Sequence, residues 1–196
     1  MRESNLSGRP VYLVDSARTP FLKARGKPGK FSASDLAVAC GRSMLLRQNF
    51  TPDAIDEVVL GCVMPSEDEA NIARVVALRL GCSDSTPAWT VQRNCASGMQ
   101  AIDSAIKDIA TARHDLVLTG GSEAMSRAPL LLRPDMVCWL ADWSKARSFA
   151  AKAKQLTKLK LKNFAPIIAL LRGLTDPIVG MTMPATAELV AHNFGI

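Results

Sequence analysis

Histidine and aromatic side chains are scarce in this chain: there are two histidines and one tyrosine, and aromatics make up 5% of its 196 residues. His114 and His192 are therefore the only imidazoles available as a catalytic base. No apolar run approaches the roughly 18 residues of a spanning helix, and Met1 to Pro10 lacks the apolar stretch of a secretory signal. Neither membrane insertion nor export is expected, and a cytoplasmic setting follows. The five cysteines are odd in number and contain no C-x-x-C pair, which argues against a disulfide framework and a zinc site. A net charge of +6 and a pI near 9.3 permit nucleic acid as a partner. No reader motif accompanies the basic residues, however, and the lysines alternate with leucine rather than with aromatics, so no nucleic acid is expected.

What is present is a hydrophobic content of 48%, enough for a sizeable core in one domain or one and a half. Strand and helix patterns alternate through the first 123 residues. Val11 to Asp15 and Val58 to Val63 read as buried strands. Ser34 can cap a helix carrying Leu36, Cys40 and Met44, and Asn71 opens another whose face holds Ile72, Val75, Val76 and Leu80, with Gly81 ending it. Ala88 to Gln92 and Asp115 to Thr119 supply two further strands. The fold class is α/β, a mixed, largely parallel sheet with helices on both faces, in which ligands gather at the carboxyl ends of strands.

Cys95 falls at such an end. Met99, Ile102, Ile106 and Ile109 recur at three and four residues and make one apolar helix face, which places Cys95 in the first turn with Asn94 as N-cap. Unpaired amides and the positive dipole end there favour a thiolate and can stabilise an oxyanion, while Gly98 permits a close backbone approach. The alternative is an inert buried thiol, the role assigned to the other four cysteines. Gly120-Gly121 is too short for a phosphate-binding loop and reads as a tight turn after a strand.

The second part of the chain differs in charge. Residues 143 to 175 hold eight basic residues and no acidic one, so the other 16 basic residues are outnumbered by the 18 acidic ones. Phe164, Ile167, Ile168 and Leu171 share a helical face, with the lysines preceding it. The segment suits an anionic membrane surface or an acidic partner; the other reading is a helix packed on the domain with solvated lysines.

Asn94-Cys-Ala-Ser-Gly-Met-Gln-Ala101, Gly120-Gly-Ser-Glu-Ala-Met-Ser126 and Arg18-Thr-Pro20 resemble the N-terminal half of a thiolase. Gly173-Leu-Thr-Asp176 and Thr186-Ala-Glu188 resemble that family's loop domain, so the likeness covers nearly the whole chain. Arg18-Thr-Pro-Phe21, Asn71-Ile-Ala-Arg74 and the basic stretch are similar to the β-subunits of fatty-acid β-oxidation trifunctional complexes. The resemblance implies an N-terminal α/β domain over 1–123 and part of an α-rich loop domain over 124–196, without the C-terminal domain. It implies an acetyl-CoA C-acyltransferase in which Cys95 attacks the keto carbon of a 3-ketoacyl-CoA and carries the acyl group to a second CoA.

Coenzyme A is then a substrate and no cofactor is expected. Leu174 and Met183 match positions lining the pantetheine and acyl tunnel, although Thr182 and Pro184 stand where histidine and glycine are common. A homo-oligomer of the full-length protein and a companion dehydrogenase/hydratase subunit are also implied. The family takes its catalytic histidine and second cysteine from a C-terminal half. His114 and His192, both near helix ends, match neither role, so the chain is expected to be an inactive fragment. The alternatives are a condensing enzyme of the ketoacyl synthase type and a membrane- or partner-binding remnant.

Overall fold

The computed structural model describes residues 8–23 and 27–196; the first seven residues of the segment weighed as a leader lie outside them. The chain divides into two compact units, one ending at Arg127 and the other spanning Ala128–Ile196. No helix of the described residues is long and apolar enough to cross a membrane.

In the first unit, strands β1 (Glu57–Gly61), β2 (Ala88–Val91) and β3 (Val117–Gly121) form a parallel sheet in the order β2-β1-β3. The register sets Val58 opposite Ala88 and Gly61 opposite Gly121. Every residue of β1 is buried, as a central strand covered on both faces must be. Alternation sends Val58, Leu60 and Cys62 into one core with Ile72, Val76 and Leu80 of α2 (Ile72–Leu80) and Val38 and Leu45 of α1 (Ala33–Leu45). Val59 points to the opposite face, where α3 (Ser97–Ala110) packs and buries Ala101 and Ala105.

Helix boundaries follow from local chemistry. Asn71 caps α2 through its side-chain oxygen, which accepts from the Arg74 amide, and Gly81 closes it in the left-handed region at φ 90°. For α1 the cap is Ser32, not Ser34. Ser32 Oγ accepts from the Asp35 amide while Asp35 accepts from the Ser32 amide, a reciprocal capping box. Ser34 is instead buried, with its amide and hydroxyl bonded to Glu69. The buried side of α1 is Ala33, Ser34, Val38, Gly41 and Leu45, one step round from the expected Leu36, Cys40 and Met44.

Val11–Asp15 is not a strand. Tyr12, Leu13 and Val14 are each more than two-thirds exposed, because the segment is tethered at its ends rather than paired. Arg9 bonds the carbonyls of Ile109 and His114 and the carboxylate of Asp115. At the other end, Asp15 accepts from Arg47 and Gln48. Cys62 and Cys82 are buried as expected, Cys40 is half-buried, and Cys138 is exposed.

The second unit contains α4 (Pro134–Lys145), α5 (Phe149–Leu156), a short antiparallel pair β4 (Leu130–Leu131) and β5 (Ile167–Ile168), α6 (Ala169–Gly173) and α7 (Met183–Phe194). The single apolar helix expected through Phe164, Ile167, Ile168 and Leu171 does not form. Residues 161–173 run as a 3-10 turn, β5 and α6, because Pro166 has no amide to donate and disfavours helix in the residue before it. His192 occupies the last turn of α7, which Gly195 closes at φ 66°.

Candidate active site

Cys95 is exposed on the turn that joins β2 to α3. The turn is tighter than a simple N-cap. Asn94 adopts φ 47°, in the left-handed region that asparagine tolerates better than most residues, so it cannot cap the helix. Helix α3 begins at Ser97, two residues later than expected, and its N-cap, Ala96, offers no side-chain acceptor. Ser97 organises the turn: its hydroxyl donates to the Asn94 carbonyl at 2.7 Å and accepts from the Arg93 amide at 2.8 Å. The Asn94 carbonyl also accepts from the Ser97 amide, and that of Arg93 from the Ala96 amide. Arg93 reaches over to Gln100 Oε1 at 2.8 Å. Cys95 is therefore held between five fixed backbone groups while its own side chain stays open.

Three glycines place that turn against the sheet. A Cβ on Gly61 would lie 2.5 Å from both the Gly98 nitrogen and the Ser97 carbonyl oxygen, closer than real Cβ atoms come. On Gly121 it would meet Gly98 Cα at 3.2 Å and the Gly61 carbonyl oxygen at 3.3 Å. The first turn of α3 thus lies on the carboxyl ends of β1 and β3, main chain against main chain. Gly98 permits the close approach, as expected; Gly120 and Gly121 end a strand rather than make a turn, and their φ is not positive. The apolar face of α3 is real but turned away from the sheet, with Met99 at 70% exposure. The small residues Ala101 and Ala105 face inward.

Glu123 completes the frame. Its carboxylate accepts from the Val63 amide at 2.7 Å, the Met64 amide at 3.4 Å and the Cys62 thiol at 3.7 Å. Ser122 donates its amide to the Gly61 carbonyl and its hydroxyl to the Ala33 carbonyl. Burial, reinforced by the Glu123 charge, pushes the Cys62 thiol up to about 12, which leaves it an inert packing group.

His114 is remote from this end of the sheet. Its Nε2 lies 3.9 Å from Glu57 Oε2, at the opposite end of β1, and Trp89 Nε1 donates to the other oxygen of Glu57 at 2.8 Å. Five strand residues span roughly 13 Å at about 3.3 Å each. His114 faces the buried Glu57 carboxylate rather than only the end of α3.

In the second unit, Leu174 and Met183 are brought together. The Met183 amide donates to the Leu174 carbonyl at 3.0 Å, and Thr175 bridges to Thr182 across the intervening loop. Asp176 closes that loop by accepting from the amides of Ile178 and Val179. Both apolar side chains remain exposed, at 43% and 59%. Thr182 is occupied as the N-cap of α7, accepting from the Ala185 amide, with Pro184 in the first turn. Gly61, Ser97 and Glu123 escaped sequence reasoning; glycine inside an apolar strand run was the available signal for the first.

Cys95 is thus exposed on a fixed strand-to-helix turn, and the Ala96 and Ser97 amides beside it, expected to be unpaired, are taken up by the Arg93 and Asn94 carbonyls. The family profile described as "Thiolase, N-terminal domain" matches residues 11–196, and the chain belongs to the thiolase family. A 3-ketoacyl-CoA thiolase of Yersinia pestis is 30% identical over 189 residues, which make up 96% of this chain and 43% of that protein. The crystal structure of human mitochondrial 3-ketoacyl-CoA thiolase superposes with a TM-score of 0.71 at 31% identity, covering 92% of this chain and 42% of the human one. That of the Bacillus anthracis acetyl-CoA acetyltransferase gives 0.68 at 31% identity, covering 85% and 37%. The chain spans less than half the length of these relatives.

Proposed function

We propose that this chain carries the nucleophilic half of a 3-ketoacyl-CoA thiolase active site, working in fatty-acid β-oxidation in the cytoplasm. The observation that carries this reading is the exposed Cys95 on a turn pinned by Ser97 and by glycine contacts. In the first half-reaction, Cys95 Sγ, as thiolate, bonds to C3 of the 3-ketoacyl-CoA and the carbonyl electrons move to oxygen. Collapse of the tetrahedral oxyanion breaks the C2–C3 bond, whose electron pair leaves on C2; protonation of C2 releases acetyl-CoA. The acyl group remains on Cys95 as a thioester. A second CoA thiolate attacks that carbonyl and expels the Cys95 thiolate, so two accessible steps replace one carbon–carbon cleavage.

Coenzyme A is substrate in this scheme and no separate cofactor takes part. The human mitochondrial thiolase and the Ascaris suum thiolase Acat5 have both been solved with CoA bound, which supports the assignment of the ligand. Leu174 and Met183, adjacent and apolar, are proposed to line the pantetheine and acyl path. The proton donor to C2 and the base for Cys95 are proposed to come from residues beyond these 196, since His114 faces Glu57. The same reading includes a homo-oligomer of the full-length protein and a companion dehydrogenase/hydratase subunit.

The test is intact-mass analysis after incubating the chain with an acyl-CoA, the second half-reaction in reverse, in which the acyl group passes to Cys95 and CoA leaves as thiolate with no proton needed at C2; turnover is followed with a 3-ketoacyl-CoA. Expected is one acyl adduct on Cys95, absent in Cys95→Ser and retained in Cys138→Ala, which removes the other exposed thiol. Sustained turnover by the 196-residue chain alone would overturn the assignment of the base, and an adduct that survives Cys95→Ser would overturn that of the nucleophile.

A further inference from the structure

We propose that Ser97 is a positioning residue for acyl transfer: its buried hydroxyl holds the peptide plane between Asn94 and Cys95 and so aims the Cys95 thiol. The inference rests on the reading of Cys95 as the acyl acceptor. Ser97 is 3% exposed, and its hydroxyl grips the main chain on both sides of Asn94, donating to the Asn94 carbonyl and accepting from the Arg93 amide. The Asn94 carbonyl belongs to the planar peptide unit that leads into Cys95. Fixing that carbonyl therefore fixes the direction in which Cys95 enters the turn.

The serine is needed because the sequence offers this turn a competing form. Asparagine is among the best N-caps, and a helix capped by Asn94 would begin at Cys95, with the Asn94 carbonyl accepting from the Gly98 amide. Here that carbonyl accepts from the Ser97 amide at 3.1 Å, one residue short of the helical partner. Asn94 lies at φ 47° rather than in the extended region of an N-cap, and Ala96 takes the cap position without a side-chain bond. The two bonds of the Ser97 hydroxyl thus hold the helix start back to Ser97 and keep Asn94 in the less favoured left-handed region. In the competing form Cys95 becomes the first helical residue, and its Cα–Cβ bond tilts toward the helix N-terminus. The change is one of aim rather than of access.

The experiment compares two reactions of Cys95 in the full chain: acylation by an acyl-CoA, followed by intact mass, and alkylation by iodoacetamide, a small reagent that needs no fixed approach. Ser97→Ala should slow acylation roughly 10- to 100-fold, the scale of a misaimed reacting group, while alkylation changes far less. Adding Asn94→Gly to Ser97→Ala should recover part of the loss, because glycine adopts the left-handed region readily and has no side chain to cap the competing helix. Asn94→Val probes the turn without touching the buried serine: a β-branched residue resists positive φ, so acylation should fall again. A far-UV CD spectrum matching that of the parent confirms that each variant is folded. If Ser97→Ala does not fold, Asn94→Val carries the test.

Acylation of either Ser97→Ala or Asn94→Val at the parent rate would overturn the proposal. So would equal losses in acylation and alkylation, which mark a loosened turn rather than a misaimed thiol, or a double variant no faster than Ser97→Ala. These results leave Cys95 standing as the acyl acceptor. A parent chain that takes no acyl group overturns that reading, and this proposal with it.

Discussion

Replacing Gly61 by Ala inserts one methyl group where β1 and α3 meet backbone to backbone. The new Cβ would lie 2.5 Å from the Gly98 nitrogen and from the Ser97 carbonyl oxygen, with the Ser97 carbonyl carbon no farther away. None of these atoms can rotate aside, as a side chain could, so the first turn of α3 must lift from the sheet. Overpacking costs about 1–3 kcal/mol in general, and main-chain neighbours place this case near the upper end, at about 3 kcal/mol. For a chain of this size that is a fall in Tm of roughly 6–12 °C. Two other glycines calibrate the number. Gly121→Ala meets its neighbours at 3.2 and 3.3 Å and should cost about 1–2 kcal/mol. Gly120→Ala has its nearest neighbour, Leu60 Cδ2, at 4.0 Å, which is ordinary contact; it should be neutral to slightly stabilising, because alanine restricts the unfolded chain. Urea unfolding followed by far-UV CD measures the series, and iodoacetamide labelling of Cys95 in native protein reports the turn. The expected order of loss is Gly61, then Gly121, then Gly120, with altered Cys95 labelling in the first. A Gly61→Ala midpoint equal to that of Gly120→Ala would refute the claim that this contact seats the nucleophile.

The buried Cys62 thiol should resist iodoacetamide at pH 9 in the native chain, while the exposed Cys95 and Cys138 react and urea opens Cys62 to labelling; early native-state labelling of Cys62 would contradict its burial. The same thiol carries a pH signature. Its value rises from the ordinary 9.0 to about 12 on folding, so its contribution is complete below pH 9 and is lost as pH climbs toward 12, where the unfolded thiol ionises first. Cys62→Ala should flatten that decline in urea midpoints measured across the window. Ser32→Ala removes the acceptor for the Asp35 amide and the donor to Glu69 Oε1 at 2.7 Å, and should cost about 1–2 kcal/mol in the same assay. A loss below a few tenths would show the capping box to be ornamental.

Much of the architecture was legible because it follows local rules. Asn71 and Gly81 bracket α2 as expected, and the runs around Val58 and Ala88 pair in parallel. The misreadings share a cause, since each depended on a neighbour that periodicity does not see. Val11–Asp15 has the composition of a strand, yet Arg9 and Asp15 tie its ends to α3 and to the turn that follows α1, outside any ladder. The segment ending at Leu171 has helical spacing, yet Pro166 divides it, and proline was the signal that should have outweighed the spacing.

The site shows the same limit most sharply at α3. A helix with isoleucines on one side and alanines on the other is amphipathic by size, and the hydrophobic pattern alone sends the isoleucines toward the sheet. The deciding residue lies elsewhere, in β1. A glycine within an apolar strand marks a place where another backbone comes close, and Gly61 on the Val59 face demands that α3 present its smallest side. Ala101 and Ala105 therefore turn inward, Met99 turns out, and the turn before Ser97 is drawn down onto the strand ends. Cys95 owes its position to that sequence of constraints more than to any cap. Gly61→Ala should therefore alter Cys95 labelling more than Asn94→Gly, which keeps the left-handed φ accessible and removes a side chain that caps nothing.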